Sequence, residues 1–197
     1  MSILDAKSFT AGAYIQHTWD ISDKVKLENG LRIDNVTYSN TNFSKNQTFV
    51  LPKVSALFKI NNNWSSRIGG GLGYKIPTIF TERTETFQYQ NLSALNNVEA
   101  ERSIGGTADV NYRGGFSDDL LFSINQMFFI TQLNKPLVLE QNGANFSFLN
   151  TKEPITSNGF GNKYQVYLQR KFKIIYWLYF TNANAKYLRQ SIFTIST

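Results

Sequence analysis

Six cationic side chains occupy positions in the first 75 residues that β-strands would direct to one face. Alternate residues of a strand share a face, which is why these side chains would lie on the same side. Each of them stands singly among apolar neighbours rather than in a basic run. They are Lys26, Arg32, Lys53, Lys59, Arg67 and Lys75. Such a face could attract an anionic ligand or form salt bridges with another part of the protein, with ordinary solvated charge as the alternative. We take Arg32, Arg67 and Lys75 as candidate ligand contacts.

Aromatic side chains supply a second candidate binding group. The polar segment 75–98 carries Phe80, Phe87 and Tyr89 among hydroxyl, amide and carboxylate residues. Rings on a long loop can stack on a ligand. The alternative interpretation is that these rings pack on one another.

The sequence lacks the residue patterns of catalysis and metal binding. Cys is absent and His17 is the single histidine, which excludes a thiol centre, a Ser-His-Asp triad and a His-based metal site. Gly69–Gly73 lacks the Lys-Ser/Thr step and the helix of a phosphate-binding loop. Four glutamates in or beside segment 75–98 could bind a cation, although solvated carboxylates are commoner: Glu82, Glu85, Glu99 and Glu101. We expect no enzyme, no metal site and no cofactor.

The positive charge does not have the distribution of a nucleic-acid-binding protein. The formal net charge is +6 and the isoelectric point about 9.4. A nucleic-acid interface needs a basic patch, run or helix, and here the Lys and Arg residues are scattered. We therefore expect no nucleic-acid partner.

Long stretches of period-2 alternation indicate β-strands that could cross a membrane. The segments 8–21, 25–36, 49–60, 64–74, 99–112 and 120–132 alternate apolar with polar residues. Strands of soluble domains are usually about 5–6 residues long, whereas a transmembrane β-strand needs about 9–11. No apolar 18-residue run is present, and the mean hydropathy of −0.29 suits a barrel whose strands have one polar face.

The connections between these strands are predicted to alternate in length. Short ones follow Ile21, Ile60 and Tyr112, and long ones follow Val36, Tyr74 and Gln132. Membrane barrels have short periplasmic turns and longer extracellular loops. We therefore expect periplasmic turns at 22–24, 61–63 and 113–119, and long outer connections at 38–48, 75–98 and 133–154. Trp19, Trp64, Tyr74 and Tyr112 are expected in aromatic girdles at the strand ends.

The predicted fold is all-β: an antiparallel up-and-down meander of about six to eight strands, forming an open part of a large transmembrane β-barrel. Residues 1–7 are expected to be an unstructured lead, and 8–160 to form the partial barrel. Residues 162–178 show no consistent two-faced pattern, so we predict a degenerate tail over 161–197. We hypothesise that this tail results from changes of reading frame near residues 161, 180 and 189.

Four successive segments resemble TonB-dependent outer-membrane receptors. They are AGAYIQHTW (11–19), LENGLRID (27–34), the hairpin from LPKVSALFKI to IPTIFTE (51–82) and NNVEAERSIGGTADVNY (96–112). The resemblance covers about residues 8–160 and points to the siderophore-receptor-like branch found in Bacteroidetes-type bacteria. It implies part of a barrel of about 22 strands, surrounded by outer-membrane lipid and closed by an N-terminal plug.

The resemblance also implies a function for the whole receptor. Such receptors import scarce ligands such as ferric siderophores, driven by the TonB complex acting through the plug region. No signal peptide, TonB box or plug is visible here, so we expect a fragment that does not transport alone. One alternative is a small autonomous outer-membrane barrel of about eight strands, with an anchoring or adhesive role and paired first and last strands. Another is a soluble ligand-binding barrel with an apolar interior.

Overall fold

The chain is mostly β-strand in the part that the computed structural model describes, which is residues 7–40, 43–77, 93, 95–117, 120–142, 145–168, 172–185 and 190–196. The strands are β1 (Lys7–Ser22), β2 (Val25–Ser39), β3 (Ser44–Lys59), β4 (Trp64–Lys75), β5 (Glu101–Ser117), β6 (Leu120–Asn134), β7 (Leu137–Asn142), β8 (Asn145–Asn150), β9 (Ile155–Leu168), β10 (Phe172–Ala185) and β11 (Gln190–Ser196). No helix in these residues is long and apolar enough to cross a membrane.

Nine of the strands form one antiparallel sheet. Its order is β1-β2-β3-β4-β5-β6-β9-β10-β11, and β7 and β8 form a separate hairpin. The predicted all-β meander is confirmed, with nine strands instead of six to eight because the chain beyond residue 160 also pairs. β1 and β11 lie at opposite edges. The described strands therefore do not show the closure that a small autonomous barrel requires.

Most strands of the nine-stranded sheet place apolar side chains on one face and polar side chains on the other, whereas β10 carries large apolar side chains on both faces. Cross-strand partners keep the alternation in register, as in the pairs Ile15–Leu31 and Ala108–Phe128 on one face and Arg67–Asp109 on the other. We call these the apolar face and the polar face. The large side chains of the apolar face are exposed, and several are exposed by half or more: Ile15, Ile68, Ile104, Phe128, Ile130 and Ile174. Such a continuous exposed apolar surface needs lipid or a partner to cover it.

The apolar face changes to amides and hydroxyls near one end of the strands. On β2 and β3, Asn35 donates to Asn46 (Nδ2–Oδ1 2.9 Å) and Asn46 donates to Thr37 (Nδ2–Oγ1 2.8 Å). At the strand rise and tilt usual in membrane barrels, the stretch from Val25 to Asn35 spans roughly 25 Å. This equals the height of the apolar band on such barrels. The side-chain amides of β6, β9 and β10 continue the boundary: Gln132, Asn158 and Asn182.

Two connections are long, and both lie at the same end of the sheet as this polar boundary. They join β4 to β5 (76–100) and β6 to β9 (135–154), and the second contains the β7–β8 hairpin. We call this the long-loop end, which also holds 40–43 and 186–189. The short-turn end holds 23–24, 60–63, 118–119 and 169–171.

Two predicted connections are wrong in their bounds. Segment 38–48 is not a long loop, because β2 and β3 stay paired up to Ser39–Ser44. Its amides and hydroxyls are ladder residues beyond the apolar band. The turn predicted at 113–119 is also too long, because Arg113 still pairs with Ser123 and Gly114 with Phe122.

The predicted lack of a consistent two-faced pattern over residues 162–178 is wrong for the first half of that segment and not for the second. These residues belong to two strands joined at 169–171. The alternation is regular in β9, whereas Ile175 and Trp177 of β10 share the polar face with Lys173. On β9, Tyr164, Val166 and Leu168 share the apolar face, and Phe172 and Ile174 of β10 pair beside them. The hypothesis of frame changes stays a prediction. Translation of the gene in its other frames remains the test.

Candidate functional site

The three predicted cationic contacts lie on the polar face, on two strands. Arg32 is on β2 between Tyr14 and Leu51, while Arg67 and Lys75 are on β4. Arg67 pairs in register with Asp109, and Lys75 with Glu101. The rings of Phe80, Phe87 and Tyr89 lie outside the described residues, so the stacking role stays a prediction.

A trough with a floor of backbone and small side chains crosses the polar face from β2 to β6. Gly69 and Gly71 of β4 pair with Thr107 and Gly105 of β5. A Cβ at Gly69 would lie 2.8 Å from the Cβ of Ser55, so the strands approach too closely there for any side chain. The trough encloses about 510 Å³ and is lined by two cations, Lys53 and Arg67, and one carboxylate, Glu28.

Arg67 also lines a second cavity nearer the short-turn end. This groove encloses about 760 Å³, and its charged lining includes Lys59, Asp109 and Arg113. Arg67 therefore joins the two cavities along the polar face. Cations outnumber carboxylates in the lining of each cavity, which favours anions over cations as occupants.

Above the trough, a carboxylate is fully buried between two donors. Asp34 is 0% exposed and accepts hydrogen bonds from Arg32 (Nε–Oδ1 2.8 Å) and from Tyr74 (OH–Oδ2 2.8 Å). Gly12 of β1 faces it, and a Cβ on Gly12 would lie 2.1 Å from Oδ1. The guanidinium of Arg32 stays open to solvent, with 55% of the side chain exposed. A buried carboxylate thus holds a partly exposed cation in place.

Tyr74 has a different position from the aromatic girdle in which the sequence predicts it. The registered β3–β4 pairs end at Lys53–Gly71, and Tyr74 lies three residues further along its strand. Its ring stacks on Phe49 with the planes 1° apart and the centroids 4.0 Å apart. Arg102, its partner on β5, lies 5.3 Å from the centre of the same Phe49 ring. Tyr74 therefore joins the top of β4 to Asp34 of β2.

The long-loop end carries the buried core of the described residues. Three segments meet there: the tip of the β2–β3 hairpin, residues 95–101 and the β7–β8 hairpin. We call this assembly the cap. Its two buried clusters are Leu95, Val98 and Phe148, and Val36, Tyr38, Phe49 and Ala100. Ile76 and Leu95, which flank segment 78–92, both pack in these clusters.

Polar contacts fix the cap around Glu99. The carboxylate of Glu99 lies 2.5 Å from Lys135 Nζ and 3.5 Å from Lys45 Nζ. Its backbone N–H donates to Asn150 Oδ1, and Asn150 Nδ2 donates back to the Glu99 carbonyl. The hydrogen bond from Lys135, followed by the charges of both lysines, holds the pKa of Glu99 below its usual value. The paired carboxylate is therefore a structural contact of the cap.

Within the described residues, the acidic and histidine side chains do not assemble into a metal site. No group of three or more His, Cys, Asp or Glu residues lies close enough to hold an ion there. Among the four glutamates named above, Glu101 accepts a hydrogen bond from the Leu137 N–H and Glu99 pairs with lysines. Glu82 and Glu85 lie outside the described residues.

Sequence reasoning did not single out Asp34, Lys53 or the cap. The sequence does indicate that Asp34 lies beside Arg32, because the two are two residues apart on one strand and must share a face. Lys53 was placed on the charged face but not chosen as a contact. Nothing local predicts the cap, whose contacts join residues more than 50 positions apart, such as Tyr38 and Val98.

A family model described as "TonB dependent receptor-like, beta-barrel" matches residues 3–192. The chain belongs to this family. The match extends through most of the tail and agrees with the pairing of β9 and β10. The resemblance seen over residues 8–160 is thereby confirmed as family membership, and the family consists of receptors and transporters rather than enzymes.

Solved structures of receptor barrels show the same fold. The copper transporter OprC superposes with a TM-score of 0.72 at 14% identity, covering 95% of this chain and 30% of that one. The FrpB iron transporter from Neisseria meningitidis gives 0.67 at 17% identity, with 91% and 26% covered. The ferripyoverdine receptor of the outer membrane of Pseudomonas aeruginosa, bound to ferripyoverdine, gives 0.58 at 12% identity, with 92% and 26% covered.

This receptor-barrel chain therefore spans about a quarter to a third of the length of those proteins. At these identities the structural likeness shows the fold alone. A comparison with curated protein sequences gave no match.

Proposed function

We propose that this chain forms part of the barrel wall of an outer-membrane TonB-dependent receptor. Its apolar face contacts lipid and its polar face lines the lumen. The long-loop end is extracellular, so 40–43, 76–100 and 135–154 surround the mouth, and the short turns face the periplasm. The apolar band with its polar boundary supports this orientation.

The proposed ligand is an anionic chelate of a scarce metal, such as a ferric siderophore. The observation that carries this proposal is the run of cations along one polar face: Arg32 near the cap, Lys53 and Arg67 at the trough, and Lys75 at the end of β4. A series of like charges in a concave wall raises the local concentration of anions. Phe80, Phe87 and Tyr89 are proposed to stack on the ligand at the mouth.

Import requires partners beyond this chain. We propose that the plug region of the complete receptor closes the lumen and couples it to the TonB complex. The edges at β1 and β11 would pair with further strands of the same barrel, because unpaired backbone groups in lipid are costly. The chain by itself would then bind but not transport.

Uptake by cells tests this function. A strain lacking the gene is compared with the complemented strain for uptake of ⁵⁵Fe bound to citrate, hydroxamate and catecholate chelators. We expect restored uptake of one chelate class, and reduced uptake when Arg67→Gln is introduced at equal outer-membrane abundance. Equal uptake of every chelate with and without the gene would contradict the proposal.

A further inference from the structure

The Arg32–Asp34–Tyr74 contact fixes one guanidinium and leaves its terminal nitrogens available. Arginine has five N–H donors, and Asp34 engages the one on Nε. Among the described residues, no acceptor is hydrogen-bonded to Nη1 or Nη2. These two nitrogens form the flat edge that binds carboxylate or phosphate through paired hydrogen bonds.

The contacts of Asp34 hold its carboxylate in place, so that it does not move when a ligand binds to Arg32. It is fully buried, its first oxygen occupies the space beside Gly12 that a side chain there would fill, and its second oxygen accepts a hydrogen bond from the Tyr74 hydroxyl. Tyr74 is fixed in turn by the stacked ring of Phe49. The direction of the Arg32 guanidinium is therefore set by a rigid neighbour.

A second cation lies on the adjacent strand without an opposing side chain. Arg32 pairs with Leu51, so Lys53 is its diagonal neighbour on the polar face, and such neighbours are about 7–8 Å apart. Lys53 pairs with Gly30 on one side and Gly71 on the other. In the part of the chain that the structure describes, no carboxylate lies within ion-pair distance of Lys53. The two remaining positions between these cations are Gly30 and Leu51, and the Tyr14 ring lies beside Gly30.

We propose that Arg32 and Lys53 form an oxyanion-binding site and that Asp34 is the residue that positions Arg32 in it. The ligand group is a carboxylate or a phosphate, bound in two-point fashion by Arg32 and neutralised by Lys53. This inference rests on the proposed function, for which it supplies the anion-recognising contact. Asp34 touches the ligand at no atom and acts through the guanidinium.

The direction in which Asp34→Asn changes the affinity for anions distinguishes positioning by Asp34 from simple charge attraction. Asp34→Asn removes a negative charge near the site, so Coulomb attraction alone would make anions bind more tightly. Positioning gives the opposite result, because the guanidinium loses its charged acceptor and its fixed direction. Asp109→Asn is the matched control, since it removes the same charge from the same face beside Arg67.

The test uses the full chain, purified in detergent and labelled with ¹⁵N-arginine. Iron-free citrate and inorganic phosphate are titrated separately, with chloride at equal ionic strength as the reference. The Arg32 side-chain signal, assigned with Arg32→Lys, is followed by NMR. We expect saturable shifts of this signal in the wild-type chain. The dissociation constant should be about tenfold larger in Asp34→Asn, and equal or smaller in Asp109→Asn.

Tyr74→Phe keeps every charge and removes one hydrogen bond to Asp34, so we expect a smaller weakening of the same sign. It also provides the test if Asp34→Asn fails to fold, as judged by circular dichroism. Tighter anion binding in Asp34→Asn, unchanged binding in Tyr74→Phe, or no saturable shift in the wild-type chain would overturn the inference. Because iron is absent, such a failure is distinct from a failure to take up any metal chelate.

Discussion

Near the long-loop end of the sheet, the presence or absence of a single atom decides which side chains can lie next to one another. Asp34 fits only because Gly12 has no side chain, and Tyr74 reaches it only where the β3–β4 pairs have ended. A buried carboxylate left without a donor costs considerably more than an exposed one, so each of these contacts depends on the others.

Gly12 should be intolerant of even one added methyl group. In Gly12→Ala the new Cβ would lie 2.1 Å from Asp34 Oδ1 and would displace the carboxylate from its donors. We expect a loss of about 1–3 kcal/mol in the free energy of unfolding, measured with urea in detergent micelles. Gly30→Ala is the control, because its Cβ would meet Tyr14 at an ordinary 3.4 Å. Equal stability of the two variants would refute the tight fit at Gly12.

The ion pairs of Glu99 should make the cap sensitive to acid. The pKa of Glu99 is lowered in the folded chain, first by the hydrogen bond from Lys135. The contribution to stability is therefore present above the unfolded pKa and is lost as the pH falls through the folded one. We expect Glu99→Gln to lower the melting temperature at pH 7, at a cost below about 1 kcal/mol because the site is partly exposed.

The difference between Glu99→Gln and wild type should shrink as the pH is lowered below about 4. Glu140→Gln is the matched control: Glu140 is an exposed glutamate of β7, without an ion pair among the described residues. A difference between Glu99→Gln and wild type that does not change from pH 7 to pH 3 would rule out the ion pairs as its source.

At the scale of elements, the buried apolar clusters of the described residues lie in the cap, where strand tips and residues 95–101 meet. The long-loop end buries Leu95, Val98 and Phe148 together, joining segment 95–101 to β8. The large side chains of the apolar face along the sheet wall remain exposed, several of them by half or more. Cap and wall should therefore respond separately to mutation.

Phe148→Ala tests this separation. Removal of a buried Phe ring costs about 3–5 kcal/mol in a core, so the cap should loosen while the wall stays folded. We expect faster amide hydrogen exchange in residues 95–101, without change in β9. Phe116→Ala is the control, because Phe116 is 82% exposed. Simultaneous loss of protection in cap and wall would show that they unfold as one unit.

Some elements could be predicted from the sequence and others could not, for physical reasons. Alternation in 25–36 and 64–74 predicted both the strands and their faces, because a strand repeats every two residues. The break at 169–171 was missed because Gln169-Arg170-Lys171 contains neither Gly nor Pro. The burial of Asp34 depends on Tyr74, 40 residues away, and the cap depends on contacts between segments that are distant in the sequence. Local patterns carry no information about such contacts.

For the molecule as a whole, the proposed function depends on the difference between the two faces of the sheet. One face has an apolar band bounded by amides, and the other has cations and a glycine-floored trough. A membrane-barrel wall places lipid on the first and the lumen on the second. A soluble barrel would place water on the outside and apolar side chains within.

The accessibility of β6 tests that account most directly. The chain has no Cys, so single-Cys variants can be spin-labelled at Ile124, Phe128 and Ile130 on one face and at Ser123, Asn125 and Thr131 on the other. In lipid bilayers, we expect oxygen to relax the first set and a water-soluble nickel chelate to relax the second, with a period of two residues. Uniform access of the nickel chelate to all six positions would contradict a wall that separates lipid from an aqueous lumen.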